Sequence, residues 1–61
     1  MTRRQAGILA LLTREPSTTY TLAIALNERI GDVARDLNKL AAAGVVEHGE
    51  DGWALTPKVA A

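Results

Sequence analysis

The order of the elements is decided by residues 19–46, which run TYTLAIALNERIGDVARDLNKLAAAGVV. Apolar residues recur at helical spacing on both sides of Asn27, a residue type that tolerates the left-handed conformation at the end of a helix. This pattern predicts a helix over 19–26, a turn at Asn27 and a longer helix over about 29–43. Gly44 is placed to terminate the longer helix. The stretch is therefore predicted to form two helices joined by a tight turn.

A further helix is predicted before this stretch and a β-hairpin after it. Thr2 and Gln5 form the T-x-x-Q pattern of a capping box, and Pro16 stops the helix that follows, so this helix is expected over about 3–14. Two strand-like runs then make up a hairpin over about 45–56, joined by a predicted four-residue loop, 49–52. Trp53 is expected to close the hairpin over the helices, and Pro57 to begin one more helical turn. The fold class is mainly α with a small β-hairpin.

The composition sets limits on function. The chain has 61 residues, seven Lys and Arg against seven Asp and Glu, one His and no Cys. This length predicts a single domain over 1–61, and the lack of cysteines excludes a disulfide framework. His48 has no companion ligand, so neither a metal nor a cofactor is expected, and no nucleophile–base set indicates an enzyme. No apolar run approaches the roughly 20 residues needed to cross a bilayer, so a soluble, cytoplasmic protein without a membrane partner is expected.

The residues from Leu22 to Val46 resemble the pattern of the MarR/ArsR-like winged-helix superfamily. A leucine–alanine pair opens the first helix of the stretch, and the longer helix contains a valine, an arginine two residues later and two leucines three apart. The run 43–46 (AGVV) introduces the hairpin, which is the wing of that fold, and 55–58 (LTPK) is similar to the exit from it. The resemblance covers about residues 5–58. It implies a winged helix-turn-helix with three helices and a two-stranded wing.

The resemblance also implies binding to double-stranded DNA, with helix 29–43 in the major groove. Carried over by position, the residues facing the groove would be Arg29, Gly31, Asp32, Arg35, Asn38 and Lys39. Ile30 lies among them, unless it replaces the apolar anchor that the superfamily has at the position of Glu28. The residues reaching phosphates would be Thr18, Thr19 and Tyr20. Arginine can bind guanine bidentately, asparagine can bind adenine, and hydroxyls at a helix N-terminus suit phosphate oxygens.

Two departures from the superfamily pattern concern the wing and the ends of the chain. Wings of the superfamily often carry Arg or Lys, whereas this wing reads EHGEDG over 47–52. Its carboxylates would repel phosphates, so we expect the wing to stay away from DNA. The long dimerisation helices that usually flank the domain are also missing from the sequence, so a minimal domain would need a compact dimer surface or a partner.

Neutral charge weakens the electrostatic argument for nucleic acid, and it leaves two interpretations of the charged residues open. Asp32 and Asp36 stand three residues before Arg35 and Lys39, so the basic residues either contact DNA or pair with these carboxylates on a solvated face. Arg3 and Arg4 either reach DNA as a basic arm or belong to a solvated first turn.

Tyr20 and Ile24 lie four residues apart on the side of helix 19–26 opposite Leu22 and Leu26. An apolar pair on an outward face indicates a partner surface, such as a dimer contact, although packing under the first helix is an alternative. The sequence leads to the hypothesis of a sequence-specific DNA-binding protein, a small transcriptional regulator acting as a dimer or beside a partner. The alternative is a winged helix that serves as a protein-interaction module without binding DNA.

Overall fold

The computed structural model describes residues 1–60, apart from the side chains of residues 58 and 60. In chain order the elements are α1 (Arg3–Leu12), α2 (Thr19–Leu26), α3 (Ile30–Ala42), β1 (Val46–Gly49), β2 (Gly52–Leu55) and the short α4 (Pro57–Ala60). The two strands pair antiparallel. The predicted fold class, a mainly helical winged helix-turn-helix, is confirmed.

The helix α1 begins as predicted and ends earlier. The Thr2 hydroxyl accepts from the Gln5 amide at 3.1 Å, and the Gln5 side chain accepts from the Thr2 amide at 3.2 Å, which completes the capping box. The helix stops at Leu12, two residues before the predicted end, and the Thr13 hydroxyl donates to the carbonyl of Ala10. Residues 13–15 form a turn and a bend before Pro16, and Ser17 then pairs with Trp53 of the wing.

The turn between α2 and α3 depends on Asn27, whose φ of 54° lies in the left-handed region. The Glu28 amide donates back to the Ala23 carbonyl at 3.0 Å, so the end of α2 is satisfied before α3 begins. Arg29 is the N-cap of α3 in an extended conformation, rather than its first helical residue as predicted. At the other end, Gly44 has a φ of 77°. The local turn chemistry predicted from Asn27 and Gly44 is therefore correct.

The wing is tied to the segment that links α1 and α2. Ser17 and Trp53 exchange two backbone hydrogen bonds, of 3.0 and 2.8 Å. Ser17 therefore pairs with β2 on the edge that β1 leaves open. Gly52 has a φ of 106°, and a β-carbon there would come within 2.7 Å of the Ser17 backbone. The strands are joined by a two-residue turn, Glu50 and Asp51, so the predicted four-residue loop is wrong. Because Gly49 and Gly52 pair with each other, they extend the ladder instead of belonging to the loop.

The core is formed by side chains from all three long helices and the first strand. It consists of Ile8, Leu12, Leu22, Ala23, Val33, Leu37, Leu40 and Val46. Trp53 is partly buried and packs against this cluster, as predicted. Ile30 falls in the inward sector of α3 by its spacing, yet it is 51% exposed because it is the first residue of the helix. Ile30 is therefore not an apolar anchor.

Candidate nucleic-acid interface

One side of α3 is left uncovered by the rest of the fold. Val33, Leu37 and Leu40 face the core, and the residues on the opposite side of the helix are exposed. These exposed residues are Gly31, Arg35, Asn38, Lys39 and Ala42, with Arg29 exposed just before the helix. Asp32 lies at the edge of this side, and its side chain is 38% exposed. The structure therefore places the predicted groove-facing residues together on one exposed surface, which we call the α3 face.

The first turn of α2 carries the residues predicted to reach phosphates. The Thr18 hydroxyl accepts from the Thr21 amide at 3.1 Å and lies 3.0 Å from the Thr21 hydroxyl, so it is used as the N-cap. The Thr19 hydroxyl accepts from Trp53 Nε1 at 3.1 Å, which leaves its own O–H as a donor. Tyr20 is 65% exposed. Within the described residues, the amides of Thr19 and Tyr20 have no hydrogen-bond partner, as is usual for a first helical turn.

Three carboxylates beside the α3 face share a single arginine from α1. The Arg4 side chain donates from Nε to Oδ2 of Asp36, and its Nη1 lies 3.8 Å from Glu28 Oε1 and 4.0 Å from Asp32 Oδ2. The Gln5 side chain adds a longer hydrogen bond to Asp36, at 3.4 Å. Asp36 is 2% exposed, so its carboxylate is buried between α1 and α3. We call Arg4, Glu28, Asp32 and Asp36 the carboxylate cluster.

The contacts of the carboxylate cluster decide between the two interpretations of the charged residues on α3 and between those of Arg4. Asp36 faces α1 and bonds Arg4, so the predicted pairs of Asp32 with Arg35 and of Asp36 with Lys39 are absent from the described residues. A buried carboxylate such as that of Asp36 needs a hydrogen-bonding partner within the protein interior. Arg35 and Lys39 are exposed and do not supply one. Arg4 is likewise not a free basic arm, because its guanidinium is used within the protein.

The pKa values of the buried pair change in the direction expected of an ion pair. The hydrogen bond from Arg4 lowers the pKa of Asp36, and this effect outweighs the desolvation that alone would raise it. The same bond raises the pKa of Arg4 above its ordinary value. Asp36 is therefore ionised at neutral pH in spite of its burial.

The basic residues of the α3 face remain unpaired. Among the described residues, Arg29, Arg35 and Lys39 have no carboxylate oxygen within 4.0 Å, since every ion pair found there involves Arg4. The formal charge over residues 28–43 is zero in the sequence. In the fold, however, the acidic residues lie against α1 and the basic residues lie on the open side of α3.

The apolar pair on α2 is also exposed. Tyr20 is 65% exposed and Ile24 64%, so the alternative in which this pair packs under α1 is wrong.

The wing exposes its charged and polar side chains. Glu47, Glu50 and Asp51 are exposed, and His48 is exposed with its ring centroid 4.7 Å from that of Trp53. Over the residues described, no group of three or more His, Cys, Asp and Glu side chains is arranged to hold a metal ion. None of the described helices has the length and apolar character to span a membrane.

A protein-family model with the description HVO_A0114 matches residues 1–61. The chain belongs to the HVO_A0114 family. A solved structure of a point mutant of Lactococcus lactis ZitR is similar to this HVO_A0114 family member, with a TM-score of 0.88 and 30% identity. The match covers 98% of this chain and 46% of the ZitR chain, so the chain spans less than half the length of that relative. No curated protein matches the sequence.

Proposed function

We propose that the chain is a sequence-specific double-stranded DNA-binding protein, a small transcriptional regulator that places α3 in the major groove. The observation that carries this proposal is the separation of charge around α3. Three basic side chains are free on the exposed face, while three carboxylates are drawn to Arg4. The winged-helix fold supports the proposal, because the second helix of a helix-turn-helix is the one that enters the groove. The residue pattern favours a place in the MarR/ArsR-like superfamily, and DNA binding would place the protein in the cytoplasm.

Each residue of the proposed interface has a chemical role that fits its position. Arg35 and Asn38 present groups that can bind guanine and adenine bidentately, and Lys39 and Arg29 present point charges toward phosphates. Asp32, at the edge of the face, faces Arg4 through Oδ2, and its other carboxylate oxygen can accept from the amino group of cytosine. Gly31 lets the backbone approach the groove closely. The amides of Thr19 and Tyr20, with the Thr19 hydroxyl, would bind a phosphate at the start of α2, while the Thr18 hydroxyl caps the helix that presents them.

The test measures the affinity of the protein for a labelled mixed-sequence DNA duplex over a range of salt concentrations. Fluorescence anisotropy of the label reports the bound fraction. A protein that makes several phosphate contacts loses affinity steeply with salt. We expect the Arg35→Ala and Lys39→Ala pair to abolish binding at about 0.1 M salt. Lys39→Ala alone, which removes a phosphate contact, should reduce the salt slope by about one. Arg14→Ala is the matched control, because Arg14 is exposed but lies beyond the end of α1. We expect it to bind like the wild type.

A second candidate function is supported by the exposed pair on α2. Tyr20 and Ile24 form an apolar surface on a helix that packs against the core with its other side. We propose this surface as the contact with a second copy or a protein partner. A helix-turn-helix dimer would read two half-sites, so such a contact is compatible with DNA binding. If the wild-type chain does not bind the DNA duplex even at low salt, a role as a protein-interaction module becomes the preferred function.

A further inference from the structure

The carboxylates of the cluster form a stripe along one edge of α3. Glu28, Asp32 and Asp36 are spaced by four residues, which places them on one side of the helix and of its entry. Like charges at this spacing repel one another. Arg4, from α1, lies within 4.0 Å of all three of their carboxyl groups.

This stripe borders the proposed groove-reading surface. Asp32 precedes Arg35 by three residues and Asp36 precedes Lys39 by three, which is about 60° around a helix. An uncompensated carboxylate at this edge would oppose the attraction of phosphates to the two basic residues. Arg4 does not point its charge outward to offset this repulsion. Its guanidinium contacts the carboxyl groups directly, and its side chain is only 30% exposed.

We propose that Arg4 is a positioning residue for DNA binding, which holds the acidic stripe against α1 and cancels part of its charge without touching DNA. This inference rests on the proposed function. Arg4 differs in its role from Arg35 and Lys39, which would contact the nucleic acid themselves. Loss of Arg4 exposes the stripe, and loss of one carboxylate together with Arg4 restores the local charge.

The experiment compares four proteins for binding to a mixed-sequence duplex between about 0.05 and 0.5 M salt: wild type, Arg4→Gln, Asp36→Asn and the double variant. We expect Arg4→Gln to weaken binding about three- to tenfold at low salt, an effect that shrinks as the screening length falls. Asp36→Asn should bind at least as tightly as the wild type. The double variant, with the same net charge as the wild type, should bind within about twofold of it and keep the same salt slope.

Direct contact of Arg4 with a phosphate predicts a different result. The double variant would then stay weak, and its salt slope would fall by about one. That result overturns the proposal, as does an Arg4→Gln protein that binds like the wild type. A purely structural role for Arg4 predicts that affinity follows the folded fraction, measured by circular dichroism, and such a correlation also overturns the proposal.

A measurement without DNA separates failure of the inference from failure of the proposed function. In the free protein, nuclear magnetic resonance titration should show a higher pKa for Asp36 in Arg4→Gln than in the wild type. If this rise is found but the wild type does not bind DNA, the proposed function fails, and the role of Arg4 in it fails as well. If the wild type binds DNA and the pKa of Asp36 does not change, the inference alone is overturned.

Discussion

Gly31 lies exposed in the first turn of α3, where a β-carbon would meet no other described atom within 4 Å. The fold itself therefore does not require a glycine here, and glycine weakens a helix relative to alanine. We expect Gly31→Ala to raise the free energy of unfolding by about 0.5 kcal/mol. The same change should weaken binding to a DNA duplex, because the added methyl group would lie between the α3 backbone and the groove.

Urea unfolding and anisotropy measure the two effects of Gly31→Ala separately. Ala10→Gly is the control, because Ala10 is an exposed residue of α1. It should lower the stability by a similar amount and leave the DNA affinity of the folded protein unchanged. A Gly31→Ala protein that is more stable and binds DNA as tightly as the wild type would show that the groove does not approach this position.

Single residues could be predicted from the sequence when their role depends on their chain neighbours. Asn27 and Gly44 adopt the left-handed conformations that their turns require, and Thr2 caps α1 with Gln5. The partner of Asp36 could not be predicted, because it comes from a residue 32 positions away. Helical spacing makes Lys39 a candidate partner of Asp36, but spacing along one helix does not show which edge another helix will cover.

At the scale of elements, the bond between Arg4 and Asp36 connects α1 to α3. Because the folded state lowers the pKa of Asp36, its ionised form stabilises the protein fully above the unfolded value of about 4. This contribution is lost as the pH falls through the lower pKa of the folded state. We expect Asp36→Asn to reduce the free energy of unfolding by about 1 kcal/mol at pH 7, because the amide oxygen can still accept from Arg4 and only the charge-assisted part of the bond is lost.

The difference between wild type and Asp36→Asn should disappear at low pH, since the wild-type carboxyl is then protonated as well. Urea unfolding at a series of pH values between about 2 and 7 measures this difference. The other carboxylates are shared by both proteins and cancel in the comparison. A difference that stays constant below about pH 4 would show that the charge of Asp36 does not contribute to stability.

The types and order of the elements follow from the hydrophobic periodicity and from the Pro, Gly and Asn residues that interrupt it. The end of α1 and the ends of the two strands at the turn do not. The helix α1 ends at Leu12, two residues before its predicted end, and five residues later Ser17 pairs with Trp53 across the fold. Glycines at 49 and 52 predict a loop, whereas in the structure they form the last pair of the ladder. In both cases the residue types at the boundary are compatible with more than one limit, so the sequence pattern does not determine it.

At the scale of the whole molecule, a net charge of zero conceals an uneven distribution. The wing exposes three carboxylates, and α3 exposes basic residues that are free of ion pairs in the described part of the chain. Composition alone argued against a nucleic-acid partner. In the fold, the contacts of Arg4 draw three carboxylates toward α1 and leave the basic residues of the α3 face exposed.

Assembly of two copies through α2 is the prediction that belongs to this scale. Ile24 is 64% exposed, so replacing it by glutamate should not disturb the core, whereas a charge in an apolar contact is costly. We expect the wild type to sediment as a dimer at high concentration and Ile24→Glu as a monomer. Ala25→Glu, at the neighbouring exposed position, is the matched control and should keep the wild-type mass. Equal masses for the wild type and Ile24→Glu would exclude this contact.

Trp53 is the only tryptophan of the sequence, and its indole N–H donates to Thr19 at the start of α2. The indole is therefore bonded to a residue of the proposed phosphate site and stands beside the ring of His48. A phosphate that engages the Thr19 hydroxyl would change the surroundings of the indole and hence its emission. The protein thus contains its own fluorophore, by which occupancy of the start of α2 can be followed without any attached label.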